Sequence, residues 1–110
     1  MTRELKYGRR APLSGKAHSA VVFVHGYGAD GADLLGLADA LAPHLPDTVF
    51  FAPDAPEPCF GNPFGRQWFS IPRFDGSSEL DAAVAMNLSA DDLNAFIDKC
   101  LAEEGLKPEA

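Results

Sequence analysis

Ser19-Ala20-Val21-Val22-Phe23-Val24-His25-Gly26-Tyr27-Gly28-Ala29-Asp30-Gly31 is the stretch whose reading decides the fold. Residues 19–25 form a continuous apolar run rich in β-branched side chains, the pattern of a strand buried on both faces of a parallel sheet. Glycines at 26, 28 and 31 follow at once, and they permit left-handed backbone and close approach of other groups, so a tight loop is expected. Asp30 stands three residues before Asp33. That spacing is a loose capping box, which supplies acceptors for the free N–H groups of a new helix and negative charge at its positive end.

Working outward, Leu34, Leu37, Ala38, Leu41 and Leu45 recur at spacings of three and four, which predicts a helix with that stripe on the sheet. Pro43 and Pro46 are expected to end it. Thr48-Val49-Phe50-Phe51-Ala52-Pro53 reads as a second buried strand, joined to the first by a right-handed crossover. Glu4 to Gly15 is expected as one or two short edge strands. From Asp54 to Gly76 the chain is rich in Pro and Gly, so little regular structure is expected. A connection this long usually carries function, and it concentrates the aromatics Phe60, Phe64, Trp68 and Phe69.

Helical periodicity resumes near Ser78. Leu80, Val84 and Leu88 share one stripe, whereas Leu93, Ile97, Cys100 and Leu101 fall on another, which favours two helices or one kinked helix. Ser89, with Asp92 three residues on, is the expected second N-cap, and Gly105 the C-terminal stop. Strand, loop, helix and strand in this order define an α/β class.

The bulk properties exclude several functions. With 110 residues the chain is one small domain or part of a larger one, and 46% hydrophobic and 23% charged residues are ordinary for a domain with a core. A formal net charge of −7 argues against nucleic acid or an anionic membrane as partner, since both reward a basic face. Lys6, Arg9 and Arg10 read as a solvated edge. The opening residues lack the apolar core of a signal peptide and no stretch approaches a membrane span, so a cytoplasmic location is expected. Cys59 and Cys100 are too sparse for a disulfide framework and are expected as thiols.

His25-Gly26-Tyr27-Gly28, after a buried strand and before a capped helix, is the strongest chemical signal. That context aims loop N–H groups at a site above the carboxyl edge of the sheet. Acyl transfer needs such donors, because attack on an ester carbonyl turns its oxygen into an anion, and each preset N–H stabilises it by about 3–4 kcal/mol. Three segments together, Phe23 to Asp30, Ala52 to Pro56 and Gln67-Trp68-Phe69-Ser70-Ile71, make nearly the whole chain resemble the phospholipase/carboxylesterase family of serine α/β-hydrolases, which includes acyl-protein thioesterases.

The resemblance implies the N-terminal half of an α/β-hydrolase fold, a mostly parallel sheet flanked by helices. It implies that the backbone N–H of Tyr27 is the first oxyanion-hole donor, with Gly26 and Gly28 letting the loop take its path beside the substrate. His25 is then structural, its ring tying the loop to neighbouring backbone. Trp68 and Phe69 would sit beside the acyl or alcohol pocket, against the alternative of plain core packing. The implied substrate is a small ester or thioester, and no cofactor is implied.

Ser14, Ser19, Ser70, Ser77, Ser78 and Ser89 all lack a G-x-S-x-G elbow, so none reads as a nucleophile. His18 and His44 read as surface residues, and no motif places a histidine to activate Cys59. Asp30, Asp33, Asp39, Asp91 and Asp92 read as caps and solvated faces, with no His or Cys at metal-ligand spacing. By the family pattern the nucleophile-elbow strand follows a glycine like Gly105, whereas this sequence runs to Ala110. Residues 1–110 are accordingly expected as a partial domain, silent by itself, whose C-terminal half is supplied as a longer or separate chain. Two rivals stay open: a dienelactone-hydrolase-like enzyme with a cysteine nucleophile, and a non-catalytic hydrolase-like binding module.

Overall fold

The computed structural model describes residues 2–26, 29–59, 62–69 and 76–107, without the side chains of residues 58, 59 and 62–64. In order the elements are β1 (Tyr7–Arg10), β2 (Ser19–Val22), α1 (Gly31–Leu41), a 3-10 turn (Ala42–His44), β3 (Thr48–Pro53), β4 (Glu57–Cys59), β5 (Asn62–Gln67) and α2 (Glu79–Glu104). One three-stranded sheet has the order β1-β3-β2, and β4 and β5 form a separate pair.

β3 is central because every one of its residues can be buried, and all are. It runs parallel to β2, with Ser19 opposite Thr48 and Val22 opposite Phe51, as a helical crossover requires. β1 lies antiparallel on its other side, with Tyr7 opposite Pro53 and Arg10 opposite Phe50. The described sheet is therefore mixed, because the expected N-terminal edge strand runs against β3.

Alternation along β3 divides the core into two layers. Val49 and Phe51 meet Leu5 and then Phe96 and Cys100 of α2, while Phe50 and Ala52 meet Leu35 and Ala38 of α1. Edge-to-face packing of Phe51 on Phe96, with ring centroids 6.2 Å apart, fastens one face. Phe23 stacked on Phe50 at 6.0 Å fastens the other. A helix covers each face of the sheet.

Four expectations change. The strand expected over 19–25 pairs only as far as Val22 and is partly buried at the edge of the described sheet, although Phe23 N–H still donates to the Phe51 carbonyl at 2.8 Å. The stripe of α1 is rotated: Gly31, Leu35 and Ala38 are buried, whereas Leu37, Leu41 and Leu45 stay substantially exposed. The cause is the seating of Gly31 against the Ala52 carbonyl, so close that a Cβ would overlap it. That contact sets the rotation of the whole helix.

The Pro- and Gly-rich connection holds a β-hairpin, β4 with β5, whose register shifts at Pro58/Cys59. Prolines are tolerated there because an irregular two-stranded pair leaves ladder positions unused. Finally, α2 is one helix, with Ala85, Ser89, Asp92, Phe96 and Cys100 as its buried stripe. Ser78 Oγ caps it by accepting from Asp81 N–H at 3.0 Å. Gly105, at φ 70°, ends it with Leu106 N–H donating to the Leu101 carbonyl, a Schellman motif. Ser89 is no N-cap, and its hydroxyl serves another purpose. No helix among the described residues is long and apolar enough to cross a membrane.

Candidate functional site

The loop that leaves β2 lies at the carboxyl end of the parallel pair, beside the segment that leaves β3. His25 joins the two. Its ring is buried, Nε2 accepts the Ala55 N–H at 2.9 Å, and Nδ1 lies 2.8 Å from the Gly26 carbonyl. Because Nε2 is the acceptor, the proton sits on Nδ1 and is donated to that carbonyl. The histidine is thus structural, and both ring nitrogens are spent on backbone.

The capping box at α1 is present in full: Asp33 N–H donates to Asp30 Oδ1 at 3.1 Å and Asp30 N–H to Asp33 Oδ2 at 3.2 Å. Gly31 N–H donates to Asp54 Oδ1 at 2.7 Å, which brings a third carboxylate to the helix N-terminus. Glycine is required at 31 by this close approach.

Arg66 clamps the loop from the hairpin side. Its backbone N–H donates to the Ala29 carbonyl at 2.8 Å, while Nε and Nη2 donate to the Ala55 and Pro56 carbonyls at 2.9 and 2.7 Å. Ala29 N–H in turn donates to the Gly26 carbonyl at 3.3 Å, so the two flanks of the loop are tied to each other. Sequence reasoning missed Asp54 and Arg66. An acid directly after the second strand is a weak signal for the first, and nothing local marks the second.

Of the residues singled out in the sequence, Tyr27 and Gly28 lie outside the described residues, as do Phe60, Ser70, Ile71 and the side chains of Cys59 and Phe64. Gly26 is exposed, and a Cβ there would meet nothing within 4 Å, so the loop leaves open space at this point. Trp68 is brought directly to the loop: its indole N–H donates to the His25 carbonyl at 2.9 Å, and its ring lies 5.4 Å from the imidazole. It also packs against the core cluster of Leu5, Val49, Phe51, Phe96 and Cys100. Phe69 beside it is half-buried.

Ser14 donates to the Lys16 carbonyl, Ser19 bonds Thr48, Ser78 caps α2 and Ser89 donates to the Trp68 carbonyl. Each of these hydroxyls has a structural partner and none meets a histidine. His18 and His44 are exposed, as expected. Asp92 is not a solvated or capping acid: it is buried and accepts from the Arg3 backbone N–H at 2.8 Å and from Arg3 Nε at 2.7 Å. The charge is accepted inside because both oxygens are bonded.

Arg9 donates two hydrogen bonds to the Glu104 carboxylate, and this bonding raises its pKa further. Burial pushes the Cys100 thiol up to about 11, which makes it inert. A cavity of about 450 Å³ opens near the same sheet edge, lined among others by Arg3, Lys6, Asp30, Asp54 and Arg66. Neither Gly26, Trp68 nor Phe69 lines it.

A sheet with a helix on each face, and a glycine-rich, histidine-anchored loop at the carboxyl end of its parallel pair, define part of an α/β-hydrolase domain. The comparisons agree with that architecture. The chain belongs to the phospholipase/carboxylesterase family, whose profile matches residues 11–110. It is also similar to a solved structure, that of esterase PE8, at 38% identity with a TM-score of 0.85 over 96% of this chain and 49% of the other. The chain thus spans about half the length of that esterase.

Proposed function

We propose that the protein hydrolyses carboxylic esters, a class that extends to thioesters and lysophospholipids, through a serine acyl-enzyme. In this reading a serine hydroxyl from polypeptide outside residues 1–110 attacks the substrate carbonyl and gives its proton to a histidine from the same source. The backbone N–H of Tyr27 then donates to the oxyanion of the tetrahedral intermediate. Collapse expels the alcohol or thiol, and water releases the acid by the same steps. Gly26 and Gly28 leave room beside the oxyanion, Phe69 flanks the substrate, and Trp68 stands behind the loop with its N–H on the His25 carbonyl.

One observation carries the reading: the Gly26 carbonyl is held by His25 Nδ1 at 2.8 Å and by the Ala29 N–H at 3.3 Å. Gly26 directly precedes the proposed donor, so these two bonds anchor the loop at the point where the donor follows. In general, a preset oxyanion-hole donor accounts for about 10²- to 10³-fold in kcat. Membership of the family and the likeness to an esterase support the same chemistry.

The test is turnover of p-nitrophenyl acetate and butyrate by the intact protein, with a fluorophosphonate probe as a second readout. Turnover together with labelling of one serine beyond residue 110 is expected. A folded protein that neither turns over the esters nor takes the label refutes the reading in favour of a binding module.

A further inference from the structure

We infer that Trp68 is a positioning residue for the oxyanion loop, acting through the His25 carbonyl, and that Ser89 of α2 holds Trp68 in place. This rests on the esterase reading above and adds to it what sets the loop's geometry.

The inference starts from unpaired backbone. Ladder pairing of β2 with β3 ends with the Phe23 N–H on the Phe51 carbonyl, so the His25 carbonyl lies beyond the reach of the sheet. A backbone acceptor in a partly buried place needs a donor. The Trp68 indole, a donor with no acceptor function, supplies it at 2.9 Å. The same ring lies against the imidazole at 5.4 Å and an interplanar angle of 33°. One side chain therefore restrains both the backbone and the ring of His25, and His25 in turn holds the Gly26 carbonyl that shares its peptide unit with residue 27.

Trp68 is itself held. Ser89 lies buried in the middle of α2, where a serine ordinarily turns to solvent or bonds its own helix. Here its hydroxyl donates to the Trp68 carbonyl instead. A continuous series of bonds therefore runs from α2 through Ser89, Trp68 and His25 to Gly26. Trp68 is also packed against the core cluster of Leu5, Val49, Phe51, Phe96 and Cys100, which ties the series to the core. With its N–H spent on a carbonyl and part of its ring on the core, Trp68 acts on the loop more than on a ligand.

The experiment uses Trp68→Phe, which keeps an aromatic ring and removes the N–H, and Ser89→Ala, in the intact protein. Esters of increasing acyl length, a boronic-acid transition-state mimic and amide exchange at Ala55 and Ala29 are the readouts. Trp68→Phe is expected to lower kcat about tenfold at nearly constant KM, by the same factor for every acyl length, and to weaken the mimic equally. Ser89→Ala is expected to do the same to about a third of that extent, measured as threefold. Both variants should speed exchange of the Ala55 amide, whose partner is His25 Nε2.

A rise in KM that changes with acyl length would make Trp68 a substrate contact and overturn the inference. So would a lowered melting temperature with kcat and Ala55 exchange unchanged, the mark of a purely structural residue. If the wild-type protein turns over no ester, the esterase reading fails separately, and Ala55 exchange alone decides whether Trp68 positions the loop.

Discussion

Glycine-to-alanine substitutions at three positions probe the layer arrangement, because they are expected to differ in sign or size. At Gly31 an added Cβ would overlap the Ala52 carbonyl oxygen and lie 2.9 Å from its carbon and 3.0 Å from Asp54 Oδ1, contacts that only a shift of backbone relieves. Overpacking of this sort costs about 1–3 kcal/mol. The shift also loosens the 2.7 Å bond from Gly31 N–H to the Asp54 carboxylate, adding about 1.5–3 kcal/mol. Gly31→Ala should therefore cost roughly 3–5 kcal/mol, a large share of the ~5–15 kcal/mol of an ordinary domain.

At Gly8 the obstacle is the end of a flexible side chain, Leu35 Cδ2 at 2.5 Å, which can rotate away, so about 1 kcal/mol or less is expected. Gly36 lies in α1 with nothing within 4 Å of an added Cβ, so Gly36→Ala should stabilise by about 0.5–1 kcal/mol. Urea denaturation of the intact protein, compared at constant m-value, ranks the three. If Gly31→Ala unfolds at the wild-type midpoint, α1 does not rest on the end of β3, and the account of the helix rotation is wrong.

Two further predictions concern charge. Arg3→Ala leaves the buried Asp92 carboxylate with the backbone N–H as its remaining bonded donor from Arg3 and should cost about 2 kcal/mol in the same assay, while Arg10→Ala, at the exposed Arg10–Asp39 pair, should change stability by no more than about 0.5 kcal/mol. Equal effects from the two would contradict the burial of Asp92. Cys100 titrates near 9 when unfolded and at about 11 when folded, so its neutral thiol contributes stability that is complete below pH 9 and is lost as pH rises from 9 to 11. Wild type should lose stability relative to Cys100→Ala across that window, and a thiol reagent should modify the folded protein at pH 8 far more slowly than the urea-unfolded one.

Much of the fold was legible because its signals are local. Asp30 with Asp33 and Gly105 acted as read, since caps depend on backbone groups a few residues away. β3 was legible because a strand flanked on both sides by others and covered on both faces must be apolar throughout. The structural histidine came from the resemblance, and its two backbone bonds bear that out. Where the reading failed, polar residues faced inward. Ser89 and Asp92 looked like a helix start, yet both bond partners far away in sequence, Trp68 and Arg3, so one helix was read as two helices or a kinked one.

The same limit explains the rest. The hairpin of β4 and β5 was hidden by prolines that its irregular register tolerates, and the stripe of α1 was displaced by a contact at Gly31 that no spacing encodes. Periodicity, capping and glycine placement by themselves determined the class: strand, glycine loop, capped helix and buried strand. Tertiary structure alone decided which stripe of each helix is buried, how Arg66 and Asp54 clamp the loop, and that an indole N–H reaches the His25 carbonyl. Local order depends on neighbours within a turn or two of chain, whereas these bonds join groups 10 to 43 residues apart, where only packing chooses the partner.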